Sequence, residues 1–307
     1  MQKSTQKINN ELFDKHIMAI YKIMPDYELP IYHYTSPKAC IKILETKKLR
    51  FTHIDYLNDA SEVKYTYELL LDCIAMLKKS DGESSFYNII SDDAKLFCCE
   101  DESYRYGSTL KVNNFSYFIA SFSLDMDNLS LWNYYTKNSD MLGYNIEFES
   151  GISLLKKNKY IHTFAGGHVI YDIHIQKSLI LKALKDYKKY YDKTKVKSTK
   201  LSFCKGFMRT IQIFTLYFKH PAFTNENEFR IIIAYNTNAD KNNFLFREQN
   251  GIFIPYIELE FETKNVCSVT IYPSQKQSIA ASGLQKLLNL NDYLDTEIKI
   301  SKIPLRF

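Results

Sequence analysis

The run Phe229-Arg230-Ile231-Ile232-Ile233-Ala234-Tyr235 reads as a buried strand, being apolar and β-branched at nearly every position. A loop signal, His220-Pro221, precedes it, and Glu226 and Glu228 stand two residues apart at its entrance. In extended backbone, side chains two apart share a face, so both carboxylates are expected to point the same way at the strand's mouth. Two like charges that close are costly unless a cation, a substrate or a shared proton compensates them. Arg230 would lie on the same face and could hold their charge. The plain alternative is a solvated, acidic strand entrance. Of all the arrangements in the chain, this one is the best catalytic candidate.

The strand needs neighbours, and the rest of the sequence supplies them irregularly. Ile8, Leu12, Ile17, Ile20 and Met24 recur at near-helical spacing, predicting an amphipathic helix that stops before Pro25. Leu29 to Thr35 reads as a short strand, with Ser36-Pro37 as the cap and first residue of a helix. Leu49 to Thr52 reads as a strand, Asn58-Asp59-Ala60-Ser61-Glu62 as a loop entering a helix striped by Val63, Tyr67, Leu70, Ile74 and Leu77. Tyr117 to Leu124 is the next strand, followed by a short aromatic helix, Leu131 to Tyr135, and a strand from Gly143 to Phe148. Tyr160 to Phe164 and His168 to Tyr171 are expected to form a hairpin across Gly166-Gly167. Helices over His174–Lys193 and Ser198–Lys219 follow. Strands Gly251–Phe261 and Val266–Tyr272, a helix over Gln275–Leu288 and a last strand, Glu297–Ile300, complete the chain. Strands and helices mix without βαβ alternation, no repeat occurs and no linker rich in Pro, Gly or Ser divides them. The expectation is one α+β domain over residues 1–307, with helical insertions at about 60–115 and 174–219.

Several residues invite a chemical reading. His33 sits at a strand end just before a helix N-terminus, a common place for a ligand-binding group, though also for a packed or merely exposed histidine. Trp132 and Tyr135, three apart on a helix, share a face that serves either the core or a planar ring. Ser121 and Ser123 alternate in a strand. His162, His168 and His174 are spaced by six residues on separate elements, which matches no standard metal-ligand spacing. The lysines from Lys182 to Lys200 suit a solvated face, an acidic partner or nucleic acid. No dinucleotide-binding glycine motif, phosphate-binding loop, G-x-S-x-G or H-E-x-x-H occurs, which weighs against nucleotide triphosphate hydrolysis, Rossmann-type redox and serine hydrolase chemistry. The net charge of +5 is mild. Six scattered cysteines without C-x-x-C suggest reduced thiols in a cytosol. The polar N-terminus and the lack of any run near the roughly 18 apolar residues of a membrane span predict a cytoplasmic protein with no membrane partner.

In order along the chain, Tyr32-His33-Tyr34-Thr35, Asn58-Asp59-Ala60-Ser61-Glu62, Ser121-Phe122-Ser123 with Leu131-Trp132-Asn133-Tyr134-Tyr135, Lys219 to Arg230, and Ser301-Lys302-Ile303-Pro304-Leu305-Arg306 form a set. This set resembles a widespread bacterial family of unknown function, DUF2971, over nearly the whole chain. That family is in turn distantly similar to ADP-ribosyltransferases. The resemblance implies a central, mainly antiparallel split sheet and NAD as substrate, without a metal. It also implies an unidentified macromolecular acceptor, protein or nucleic acid, in a toxin, regulatory or phage-defence setting that could include a partner protein. By residue, it implies that His33, with Tyr34 and Thr35, contacts the nicotinamide-side ribose, that Ser123 supports the nicotinamide pocket and that Trp132 or Tyr135 stacks on the ring. Glu228 becomes the catalytic glutamate, Glu226 completes the E-x-E and Arg230 stands beside them. The first motif fits the His-Tyr-Glu class, whereas Ser123 and the E-x-E fit the Arg-Ser-Glu class, so Arg50 is a rival to His33. The chemistry suits these groups: a carboxylate on the ribose 2′-hydroxyl stabilises an oxocarbenium-like cation, and a second glutamate deprotonates the acceptor. Two other classes stay open: a catalytically inactive NAD- or nucleotide-binding sensor, and a nucleic-acid-binding protein.

Overall fold

The computed structural model describes residues 2–24, 29–57, 61–98, 115–136, 143–149, 161–236, 244–274 and 276–304. In chain order the elements are α1 (Gln2–Tyr21), β1 (Ile31–Thr35), α2 (Pro37–Thr46), β2 (Lys48–His53), α3 (Ser61–Asp81), α4 (Ser85–Cys98) and β3 (Phe115–Ser123). Then come α5 (Leu129–Thr136), β4 (Tyr144–Phe148), β5 (Ile161–His168), α6 (Ile173–Lys193), α7 (Lys197–Tyr217) and β6 (Glu228–Asn236). β7 (Leu245–Gln249), β8 (Ile252–Glu260), β9 (Val266–Ile271), α8 (Gln277–Leu290) and β10 (Glu297–Ile300) complete the set. The fold is α+β, and no helix among the described residues is long and apolar enough to cross a membrane. The chain divides into two compact units. A helical unit gathers 1–25, 57–114 and 169–223, and a sheet unit gathers 26–56, 115–168 and 224–307. The residues expected as insertions thus join the N-terminal helix in a body of their own.

In the sheet unit the described strands run β10-β9-β4-β1-β3-β2-β8-β7, with β6 on β3 and β5 on β6. Every pairing is antiparallel except the parallel β9–β10. β6 follows one edge of β3 over its whole length. The other edge is shared: β1 meets it at Tyr32↔Ser123, and β2 meets it at Thr52↔Ile119 and His53↔Phe118. Between those contacts β1 and β2 leave β3 to pair with β4 and β8, so the sheet splits there. One face is apolar, where Phe51, Phe118, Phe122, Ile231, Ile233 and Val269 pack with Cys40 and Leu44 of α2 and Leu284 and Leu288 of α8. Ser36 caps α2 as the sequence predicts, its Oγ accepting from the Ala39 N–H at 3.4 Å.

The structure departs from the expected strands in two places. Gly166-Gly167 is no turn: β5 runs straight through both, in register with Ile231 and Arg230 of β6. β7, unread in the sequence, forms a hairpin with β8 whose turn places Asn250 and Gly251 at φ 53° and 78°. Pairing with β6 overrides the glycine composition in the first case, whereas the second turn is the Asn-Gly hairpin that its own sequence favours.

The helical unit is organised by buried polar ties as well as apolar packing. The Gln176 amide donates to the carbonyls of Ile170 (2.6 Å) and Lys219 (3.0 Å) and accepts from the Tyr65 hydroxyl (2.6 Å). Asp172 caps α6, accepting from the amides of His174 and Ile175. His16 of α1 is fully buried beside Tyr187, its Nε2 3.2 Å from Asp186 but not aligned for a hydrogen bond. Burial pushes the imidazole down to about 4, only partly opposed by Asp186. The unfolded chain therefore takes up this proton first as pH falls. The stability is whole above about pH 6.5 and is lost progressively toward pH 4, by up to about 3 kcal/mol. Thermal unfolding of the wild type is expected to fall more steeply between pH 6.5 and 4.5 than that of His16→Gln. Parallel slopes would remove His16 from the account.

Candidate functional site

Glu228 and Arg230 open β6 on one face of the sheet. In register, Glu228 lies opposite Ser123 of β3, and Arg230 lies between Ser121 of β3 and Gly167 of β5. Gly167 brings no side chain to compete for the space beside the guanidinium. Arg230 Nε donates to Glu228 Oε1 at 2.8 Å and Nη2 donates to Oε2 at 3.0 Å, a two-pronged pair. Both side chains are buried, with the residues 1% and 5% exposed. The expected partnership of arginine and glutamate is therefore present, but with Glu228.

Glu226 departs from the expected geometry. It ends a 3-10 turn, Pro221–Glu226, rather than extending the strand. Asn227 then takes φ 43°, a left-handed conformation that asparagine tolerates better than most residues. The two glutamates are thus separated by a reversal and do not share a strand face. The Glu226 carbonyl, meanwhile, accepts from Ser123 Oγ at 2.8 Å. Ser123 Oγ also accepts from the Asp125 amide (3.1 Å), and the Leu124 amide donates to the Asn227 carbonyl (2.9 Å). Asn227 Nδ2 donates to Asp125 (2.9 Å), and Asn128 Nδ2 donates to Asp125 and to the Asn225 carbonyl (3.1 and 2.7 Å). Ser123, 3% exposed, thereby clasps the turn after β3 to the turn before β6.

The aromatic motif is a core. Trp132 is 0% exposed and meets Tyr34 and Tyr272 edge-on, with centroids 4.7 and 5.7 Å apart. Its Nε1 donates to Asp127 (2.7 Å), which also accepts from Ser301 Oγ (2.6 Å) and the Lys302 amide (2.8 Å). An enclosed indole has no free face for nicotinamide, and this corrects the stacking role expected of Trp132. Tyr34 is likewise structural: its hydroxyl donates to the Asp125 carbonyl (2.7 Å) and accepts from the Asn128 amide (2.9 Å). Burial pushes its phenol far up. Thr35 is buried. The side chains of Tyr135 and Glu62, and Asn58, Asp59 and Arg306 as a whole, lie outside the described residues.

His33 and Arg50 fall on opposite sides. Tyr32 is the β1 residue in register with Ser123, so Tyr32 shares the face of Ser123 and Glu228, and His33 turns to the other. The half-buried His33 ring lies 5.4 Å from Phe122, with Nδ1 3.2 Å from the Ser121 carbonyl at the split, and burial pushes the imidazole down. The pairing of His33 with Glu228 is not formed. Arg50, two residues before Thr52, alternates onto the Ser121–Glu228 face. Its Nε is 3.3 Å from Glu258, its guanidinium 4.7 Å over the Tyr256 ring, and its side chain is 37% exposed. Arg247 of β7 stands close enough that burial, with Arg50's charge, pushes its guanidinium down. Glu258 answers the charge of Arg50, and Arg247 Nη1 donates to Gln249 Oε1.

Sequence reasoning missed Asp125, Asp127, Asn128, Asn227 and Arg247. The turn signal Asp125-Met126-Asp127-Asn128 marked three of them, and αL-tolerant Asn227 marked the fourth.

Residues 131–231 match the model of a family described as protein of unknown function, DUF2971. This span begins within α5 and ends within β6, and so includes Trp132, Glu226, Glu228 and Arg230. No curated protein and no solved structure matches the chain.

Proposed function

We propose that this protein binds NAD and transfers ADP-ribose to a macromolecular acceptor. What supports the reading is the split along β3, with Arg50, Ser123 and Glu228 on one face of the sheet. Among ADP-ribosyltransferases this arrangement of residue types belongs to the Arg-Ser-Glu class, so Arg50 replaces His33 as the first-strand residue. Arg50 and Arg247 supply two cations for the pyrophosphate. Nicotinamide leaves as a neutral molecule, taking the electron pair of its bond to ribose C1′. The Glu228 carboxylate, trading an Arg230 N–H for the ribose 2′-hydroxyl, stabilises the oxocarbenium-like cation left behind. The acceptor bonds to C1′ and gives up its proton to Glu226, which is partly exposed on its turn. Ser123 and Asn227 are positioning residues that hold this turn against β3.

A second reading, a catalytically inactive NAD or nucleotide binder, is favoured by the closed state of Glu228, both of whose oxygens accept from Arg230. Nicotinamide release from NAD, with and without cell lysate, separates the two. Glu228→Gln preserves volume and is expected to lower lysate-dependent release by about 10²–10³-fold, the usual scale for losing one charge-stabilising group. Arg50→Ala is expected to weaken NAD binding while leaving the fold intact. Binding without release, unchanged in Glu228→Gln, would establish the inactive binder. Absence of both binding and release would end the NAD reading.

A further inference from the structure

The charge of this chain is unevenly distributed. Between Lys177 and Lys205 the sequence holds ten lysines against two aspartates, Asp186 and Asp192, while the whole chain nets only +5. The stretch forms α6, its turn and the start of α7, within the helical unit. α6 buries one side fully, through Leu179, Ile180, Ala183, Leu184, Tyr187 and Tyr191. The lysines occupy the other side. Asp186 is engaged by Lys15 of α1 at 2.7 Å, and Asp192 by Lys188 at 2.6 Å. Lys177 pairs with Asp72 of α3 at 3.3 Å. Lys182, Lys185 and Lys189, spaced three and four apart, are exposed, and among the described residues no carboxylate pairs with them. His174, Lys177, Ser178, Lys182 and Lys185 also line an open concavity of about 510 Å³, to which α3 contributes Met76.

We infer that this face of α6 is a docking surface for the phosphate backbone of a nucleic acid, held without regard to base sequence. From Lys177 to Lys193 the helix runs roughly 24 Å at 1.5 Å per residue, a rigid row of cations. A duplex offers about one phosphate per 1.7 Å of its axis to such a row. An anionic membrane fits less well, because a helix that lies in a membrane needs a free apolar side, and that side of α6 is occupied by its own core. The inference concerns the helical unit alone and is independent of the NAD reading.

Fluorescence anisotropy of a labelled 24-base-pair duplex of arbitrary sequence, titrated with the full chain from about 50 to 300 mM KCl, tests it. The row holds six lysines, of which Lys182, Lys185, Lys189 and Lys193 have no carboxylate partner among the described residues, so log K is expected to fall with log salt at a slope of about −3 to −4, at about −0.9 per phosphate neutralised. The triple variant Lys182→Ala/Lys185→Ala/Lys189→Ala replaces only exposed side chains. It is expected to make the slope shallower by about three and to weaken binding at least about tenfold at 100 mM salt. A control, Lys38→Ala/Lys42→Ala/Lys286→Ala, removes three exposed lysines of the sheet unit and is expected to change little. Absence of duplex binding at 50 mM salt would overturn the inference. So would equal losses in both triple variants, or binding to phosphatidylserine vesicles without binding to the duplex.

Discussion

Arg230→Ala is expected to destabilise the sheet unit by about 3–5 kcal/mol, the scale for removing one partner of a buried ion pair. The reason lies in what is left behind. Glu228 is 5% exposed and accepts two N–H bonds from Arg230, so deleting the guanidinium takes the opposite charge and both of those bonds from a buried carboxylate. Glu228→Ala is expected to cost a similar amount, because the buried guanidinium then loses its two bonds to the Glu228 carboxylate. Replacing both, as Glu228→Leu with Arg230→Met, removes the two charges together and is expected to recover most of either loss. Urea unfolding followed by circular dichroism measures all four proteins. If the single variants were as stable as the wild type, the pair would be reaching solvent. Additive losses in the double variant would mean that each side chain stabilises through other contacts. The design also matters for function: a low activity in Glu228→Ala alone would conflate catalysis with folding, whereas Glu228→Gln keeps a neutral acceptor beside the guanidinium.

The parts of this architecture visible in the sequence were those that local pattern controls. Phe229 to Tyr235 announced its strand because every neighbour on the apolar face wants the same burial, and Ser36-Pro37 announced a helix start by capping chemistry alone. Residues governed by partners far along the chain were not visible. Whether His33 or Tyr32 faces Glu228 depends on a single registered pair, Tyr32↔Ser123, and a shift of one residue would reverse the answer. Glu226 and Glu228 looked like one acidic face because extended backbone was assumed between them; the φ of 43° at Asn227 breaks that assumption. Gly166-Gly167 carried the composition of a turn and became a strand because β6 was available to pair with it. Arg247, now part of the proposed anion subsite, sits on a hairpin whose first strand is short and mostly exposed, without the alternation that would have marked it.

Trp132 supplies the sharpest test of core against site. Trp132→Ala is expected to lower stability by about 3–5 kcal/mol, as for other fully buried aromatic side chains. The loss has two sources. The cavity opens against Tyr34 and Tyr272, and Asp127 loses the indole donor that it holds together with Ser301 and the Lys302 amide. Trp132→Phe keeps most of the ring volume and removes only the donor, so a smaller loss of about 1–2 kcal/mol is expected. Thermal unfolding by circular dichroism orders the three proteins. The only tryptophan of the chain also reports directly on ligand. With the indole enclosed, NAD titration is expected to leave its emission essentially unchanged, even if NAD binds elsewhere on the sheet. Quenching that saturates with NAD, together with a Trp132→Ala variant as stable as the wild type, would return Trp132 to the stacking role. A destabilised variant and unquenched emission would make the Tyr-His-Tyr-Thr, Trp-x-x-Tyr and Ser-x-Ile-Pro motifs a single structural assembly. Tyr34 would then hold the Asp125 turn, Trp132 would hold Asp127, and Asp127 would fasten the segment from Ser301.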